Sequence, residues 1–485
     1  MDLEARNLID GQWRDALSGF FEPSLNPANG EVIGRFADSS AADVHASITS
    51  ARRAFDRPEW TQAPRLRQMV MLKWADRLEA RIDELARLLT LENGKVLAQS
   101  RGELLGAISE IRYYAGLTRY IPGHVFEVEP GVYSTLLKEP AGVVGIIVPW
   151  NAPVVLLIRS LTPALAAGCT TIIKPAPQTA LINAAVLAEL HAVAELPAGV
   201  VNVVNEKGHE VAQILTKSPD VDVISFTGSS ATGQRIMAAA APTMKKLSLE
   251  LGGKSCCLVF DDVDVHRIAP QLAAAATIIS GQQCTAARRV LVHASRYEDM
   301  KKELSKALQA LVVASGDAVG AHMGPLIDAA AYECVLGQID QAVQMADEVI
   351  LRGGRPQKLS SAGHFMTPTL VAHRDTHASF IQDEIFGPLV VLEKFEDERE
   401  AIARANHTEF GLSASVWTTD GARQMRVARA LRNGTVWIND HNKLFAEAET
   451  GGYRRSGLGR LHGYDALIDF VEIKHIYQNV GVASG

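Results

Sequence analysis

The stretch from Gly142 to Ala240 most restricts what this chain can fold into. Gly142-Val143-Val144-Gly145-Ile146-Ile147-Val148 has no polar alternation, so it reads as a strand buried on both faces. After it the pattern predicts a helix over 156–167, a strand over 170–173, a helix over 180–195 and a strand over 200–204. A helix over 211–216, a strand over 223–226 and a helix over 233–240 continue the alternation. Repeated strand-helix-strand units imply a parallel, twisted sheet with helices on both faces. Such a sheet takes its ligands at the carboxyl ends of its strands. A second α/β stretch begins after Cys284 and runs to about residue 440, with strands at 290–292 and 389–392. At 485 residues the chain is too long for one ordinary core, so two domains or more are expected.

The segments around these blocks have other characters. Residues 1–37 carry short strand-like pieces broken by Asn26-Pro27-Ala28-Asn29-Gly30, a turn by composition. Between residues 41 and 100 Leu66, Met69, Val70, Leu78, Ile82 and Leu85 recur at helical spacing, and a further helix is expected over 101–120. Residues 125–138 and 468–480 are strand-like again but fit neither core. They are expected to pair in a small sheet used for association. Net charge is −7 with no basic block, which argues against nucleic acid or an anionic membrane surface as partner. No apolar run reaches the ~20 residues of a membrane span. Five cysteines in so long a chain make no disulfide framework, and the first residues lack a signal-peptide layout. A cytoplasmic protein is the expectation.

Several short motifs carry chemistry. Cys284 stands in Gly281-Gln282-Gln283-Cys284-Thr285. Alone, it reads as one more buried small hydrophobe. As a nucleophile it would need a base or a positive potential nearby, because the thiolate is the reactive form. A carboxylate base is available upstream, Glu250 in Leu249-Glu250-Leu251-Gly252-Gly253-Lys254. Phe226-Thr227-Gly228-Ser229-Ser230-Ala231-Thr232-Gly233 follows a strand and opens a helix, where backbone N–H groups favour phosphate oxygens. Its Gly-x4-Gly spacing is not the ordinary dinucleotide fingerprint, and Gln234 excludes a Walker loop. Asn151, held between Pro149 and Pro153, can present an amide N–H at a fixed point, as an oxyanion donor must. Lys174 ends a strand and could reach cofactor hydroxyls or phosphate; the bland alternative is a solvated loop lysine.

Taken in order, these motifs resemble the aldehyde dehydrogenase superfamily over essentially the whole chain. Glu384-Ile385-Phe386-Gly387-Pro388 and Ser456-Gly457-Leu458-Gly459-Arg460 extend the match. The resemblance implies an α/β fold of two doubly wound, Rossmann-like parallel-sheet domains, cofactor and catalytic, plus a small β oligomerisation arm. The cofactor domain would be residues 1–122 and 141–252, the catalytic domain 253–455, and the arm and tail 123–140 and 456–485. It further implies NAD(P)-dependent oxidation of an aldehyde to an acid, without a metal, by a homodimer or homotetramer. Cys284 would form the thiohemiacetal and thioester, Asn151 would hold the oxyanion, and Glu250 would activate the hydrolytic water. Glu384 and Phe386 would hold the nicotinamide ribose, Lys174 the adenosine ribose and Ser229 the pyrophosphate. Ile147, Trp150, Pro177, Gly228, Gly233, Leu251 and Gly252 complete the expected cofactor site.

Departures from the family pattern bear on specificity. Pro177 stands where many members have a ribose-binding Glu, so either NAD or NADP is admitted. Ala152 and Thr450 replace common Phe residues, and Arg159 replaces a common Trp, which predicts a wider and more polar tunnel. Gln283, Thr450 and Arg159 are the candidate substrate contacts. Arg159 either binds a carboxylate or other acceptor at the far end of a substrate, as a semialdehyde would offer, or pairs with a protein carboxylate; the loss of Phe at Thr450 would suit an uncharged aromatic aldehyde as well. Two other functions compete: a coenzyme A-acylating relative, against which Glu250 argues, and a catalytically silent structural member.

Overall fold

The computed structural model describes residues 3–482. Its eight-stranded sheet runs in the order Gly457–Leu458, Lys246–Glu250, Val223–Thr227, Val143–Ile147, Thr170–Lys174, Val201–Val203, Asn7–Ile9, Gln12–Arg14. The five strands from Lys246–Glu250 to Val201–Val203 are parallel, with Ile147 opposite both Lys174 and Phe226. The three at the centre are buried almost throughout, and the middle of the run, Val143–Ile147, is accordingly all Val, Gly and Ile. Both edges are antiparallel additions drawn from the two ends of the chain. Asn7–Ile9 and Gln12–Arg14 are joined by Asp10 (φ 56°) and Gly11 (φ 71°), the paired left-handed conformations of a tight hairpin turn. The strand order reverses between Val143–Ile147 and Val223–Thr227, so the ligand crevice of this sheet opens above those two.

The second sheet has seven strands in the order Glu348–Leu351, Thr369–Ala372, Leu389–Phe395, Arg289–His293, Cys256–Val259, Ser413–Trp417, Thr435–Ile438. All neighbours are parallel except the first pair. A fully buried bidentate pair, Arg289 Nε and Nη2 to the Glu393 carboxylate at 2.6 and 2.9 Å, ties two of its central strands together. The predicted pairing of the 125–138 excursion with the tail is present: Val471–Asn479, Val132–Pro140 and His124–Glu129 form an antiparallel sheet. The tail itself divides, since Gly457–Leu458 joins the eight-stranded sheet.

Helix boundaries moved where local chemistry decides them. The helical region after residue 41 is cut into Ala41–Phe55, Pro58–Thr61, Pro64–Ala80 and Ile82–Asn93. Pro58 and Pro64 open new helices, and Gly94 at φ 88° closes the last. The helix expected from residue 101 begins at Leu97 and ends at Leu117, its first turn held by the buried Ser100–Thr90 hydroxyl contact at 2.8 Å. Ser229 caps the helix Ser230–Ala240 through Thr232 N at 3.2 Å, so Gly233 lies inside this helix rather than opening it. Among the described residues no helix is long and apolar enough to cross a membrane.

Candidate active site

The chain leaves the first sheet at Glu250 and enters the second at Cys256. The carboxyl end of one sheet is thereby brought against the amino end of the other. A cavity of about 690 Å³ lies there, and Cys284, Glu250, Asn151, Arg159, Gln283 and Thr450 all line it. Every residue predicted to do chemistry or touch substrate is in this one space.

Cys284 follows a backbone wound left-handed at Ile279 (φ 49°), Ser280 (φ 56°) and Gly281 (φ 77°). A β-branched residue in that region is strained, and strain of this kind persists only where neighbours enforce it. They do so here. Ser280 Oγ donates to Gly324 O at 2.7 Å. The buried Arg288 guanidinium donates to Gly387 O at 2.6 Å, to Gln283 O at 3.1 Å and to Gly281 O. On the far side His441 Nε2 donates to Thr285 O at 2.7 Å. The nucleophile is thus carried on a braced loop. Burial pushes the Cys284 thiol up to about 11; the Arg159 guanidinium opposes this, while the Glu384 and Glu250 carboxylates add to it. At neutral pH the resting sulfur is protonated.

Glu250 ends its strand opposite Thr227 and is buried. Burial raises its carboxyl to about 7, against the pull of Arg159 and Arg460. A carboxyl near neutrality can both take and release a proton, and its Oε1 has no hydrogen-bond partner among the described residues. Asn151 sits just past Val143–Ile147. One hydrogen of its amide is held by Gln282 O at 3.0 Å, which leaves the second for a ligand. Its backbone carbonyl accepts from Lys95 Nζ at 2.7 Å, and Lys95 is ion-paired with Glu103.

Arg159 projects from the helix Pro153–Ala167 and is 5% exposed. Among the described residues its one side-chain hydrogen bond is Nη2 to Thr227 Oγ1 at 3.3 Å, and its Nε has no partner. Among the described residues no carboxylate lies within ion-pair distance of it, and the Glu250 carboxyl feels its charge from farther away. Ala152 and Thr450 line the cavity as small residues, and Phe445 and Leu444, from the same connection as Thr450, line it as well.

The cofactor candidates lie along the adjoining crevice. Trp150 meets Phe386 edge-on, ring centres 5.5 Å apart, so the ends of the two sheets touch beside Cys284. Glu384 Oε1 accepts from Gly253 N at 3.2 Å, and a Cβ on Gly252 would sit 2.2 Å from Glu384 Oε2. At the switch point Gly228 N donates to Glu250 O at 3.0 Å, and the exposed Ser229 starts a helix whose first N–H groups suit an anion. A Cβ on Gly233 would meet Leu251 at 2.6 Å, so this glycine lets the helix close on the sheet. Ile147 is buried beneath the crevice, and Pro177 begins the turn Pro177–Thr179. Lys174 is no solvated loop lysine: it is 7% exposed, 3.4 Å from Gly208 O and 3.5 Å from Glu206 Oε1. An anion-ready helix start at one end and a carboxylate, a ring pair and a nucleophile at the other fit a dinucleotide. Glu206, Phe445 and the Lys95–Glu103 pair were not foreseen. None of them carries a local motif, although Phe445 shares its connection with Thr450.

A thiol nucleophile beside a dinucleotide crevice defines an NAD(P)-dependent oxidoreductase that works through a covalent cysteine adduct. The chain belongs to the aldehyde dehydrogenase family, whose sequence model matches residues 13–476. It is 38% identical to phenylacetaldehyde dehydrogenase of Pseudomonas fluorescens over 469 residues, covering 95% of this chain and 93% of that protein. It is also 38% identical to the NADP(+) succinate-semialdehyde dehydrogenase of Escherichia coli K12 over 475 residues, covering 97% and 96%. The crystal structure of Staphylococcus aureus betaine aldehyde dehydrogenase with NAD+ superposes with a TM-score of 0.95 at 34% identity, over 98% of this chain and 95% of that one. The protein is an NAD(P)-dependent aldehyde dehydrogenase that uses a Cys/Glu mechanism on a small-molecule aldehyde.

Proposed function

We propose that the enzyme oxidises an aldehyde whose far end carries a carboxylate or a comparable acceptor, with Arg159 as the anchor. One observation carries this: a buried guanidinium, with no carboxylate at ion-pair distance among the described residues, faces the cavity that also holds Cys284 and Glu250. An unpaired buried charge is costly, and a substrate acceptor would repay that cost with a bidentate contact. Similarity to a semialdehyde dehydrogenase supports the reading. Phe445 in the cavity wall favours an aromatic ring as a second reading, supported by similarity to phenylacetaldehyde dehydrogenase.

In this proposal the Cys284 thiol gives up its proton to solvent, and the thiolate so formed adds to the carbonyl carbon. The electron pair displaced onto oxygen is met by the free Asn151 amide hydrogen and the Cys284 backbone N–H. Losing one such donor typically costs roughly 10²–10³ in rate. Bound NAD(P), held by Trp150, Lys174, Ser229, Glu384 and Phe386, supplies the hydride acceptor. Glu250 then takes a proton from water as its oxygen attacks the Cys284 thioester, and the sulfur departs as thiolate. With Glu250 present, water rather than coenzyme A is the acyl acceptor.

The same reading assigns residues 1–122 and 141–252 to a cofactor unit, 253–455 to a catalytic unit, and the small sheet to a homodimer or homotetramer contact. Exposed Val125, Phe126, Ile473 and Tyr477 on that sheet support association. Five free cysteines suit a reducing, cytoplasmic setting. The test is kcat/KM for an ω-carboxy aldehyde, an aromatic aldehyde and a neutral aliphatic aldehyde of equal length. Preference for the neutral aliphatic substrate would refute the proposal.

A further inference from the structure

Beside Lys174 lies a buried carboxylate that no local motif signals. Glu206 lies three residues beyond the strand Val201–Val203, and its side chain is 2% exposed. Its Oε2 accepts from Val211 N at 2.9 Å and its Oε1 from Ala212 N at 3.4 Å. Both donors belong to the first turn of the helix Glu210–Lys217. Oε1 is also 3.5 Å from Lys174 Nζ.

We infer that Glu206 sets the choice of cofactor, its carboxylate filling the anion position beside Lys174 so that the crevice takes NAD and disfavours NADP. The inference rests on the reading that Lys174 holds the adenosine ribose. The start of a helix is the natural seat of a phosphate, because its free N–H groups and its dipole favour negative charge. Here the protein's own carboxylate occupies that seat. A ribose 2′-hydroxyl can donate a hydrogen bond to a carboxylate oxygen. A 2′-phosphate cannot, and would face a like charge in a site shielded from solvent. Lys174 cannot offset this repulsion in full, since Glu206 already counters its charge. The neighbouring cation, Lys207, is engaged with Glu22 at 3.0 Å. The negative charge missing at Pro177 is therefore supplied from the end of the adjacent strand.

The test measures binding rather than turnover, by isothermal titration calorimetry on the full chain. Adenosine 2′,5′-bisphosphate should bind the wild-type protein at least about tenfold more weakly than 5′-AMP, as like-charge juxtaposition requires. Glu206→Gln keeps the shape and one acceptor. It should raise the NADP-to-NAD affinity ratio by about 10- to 100-fold, by tightening NADP and weakening NAD. Equal or tighter wild-type binding of the bisphosphate would overturn the inference even if the variant failed to fold. An unchanged NADP-to-NAD ratio in a folded variant would overturn it while leaving the cofactor site standing. If wild type bound none of these nucleotides, the Lys174 reading would fall and this inference with it.

Discussion

Replacing Arg159 by Leu removes the cavity's buried cation while keeping most of the side chain's apolar volume. Two consequences follow and can be separated. If the guanidinium anchors a substrate carboxylate, the lost charged contact is worth about 1.5–3 kcal/mol, or about 10- to 150-fold in kcat/KM for an ω-carboxy aldehyde. A neutral aldehyde of equal length makes no such contact and escapes that part of the loss. Both substrates share the second consequence. Arg159 is the leading charge opposing burial at the Cys284 thiol and the Glu250 carboxyl, which stand at about 11 and about 7 with it in place. Without it both groups move further up, so less thiolate and less carboxylate exist at neutral pH. The ratio of kcat/KM for the two aldehydes, wild type over variant, isolates the anchor. The pH dependence of Cys284 alkylation by iodoacetamide isolates the electrostatic effect, and its midpoint should rise. Arg159→Lys should restore the alkylation profile more fully than the substrate ratio, because an ammonium cannot make the bidentate contact. Equal losses for both aldehydes would refute the anchor, and an unmoved alkylation midpoint would refute the electrostatic role.

Other expectations follow from the same geometry. Cys284→Ala should abolish aldehyde oxidation with NAD(P) affinity unchanged by calorimetry; residual oxidation at a substantial rate would sink the covalent mechanism. The wild-type steady rate should rise with pH through about 7, because burial keeps Glu250 protonated below that point and the base works deprotonated. In Glu250→Gln that limb should vanish and the steady rate fall, while a pre-steady-state burst of reduced cofactor survives; loss of the burst would place Glu250 before hydride transfer. Gly252→Ala would set a methyl 2.2 Å from Glu384 Oε2, forcing the carboxylate away, and NAD affinity measured by calorimetry should drop about tenfold. Paired Ile473→Lys and Tyr477→Lys should yield a smaller species by light scattering, and an unchanged mass would remove the small sheet from the assembly.

Much of this enzyme is legible in the chain itself. Continuous Val and Ile runs such as 143–148 announce a strand buried on both faces, because burial on both sides leaves no position for polar alternation. The order of short motifs from Asn151 to Glu384 marks the family, since each motif is local: a strand end followed by the turn or helix start that presents its functional atom. Helix limits were less legible, because caps and single prolines decide them within a turn. What the chain alone did not reveal is whatever depends on segments far apart meeting. Arg159 admitted two readings in sequence, and only the fold places it in the cavity of Cys284 with Thr227 Oγ1 as its side-chain partner among the described residues. Pro177 suggested an uncharged ribose pocket, yet a different strand's end delivers Glu206 to Lys174. Phe445 enters the tunnel from a loop with no motif. Local propensity and pattern act over a few residues, so they specify elements and motif-bearing turns. The partners of a buried charge come from the whole chain, and tertiary packing alone selects them.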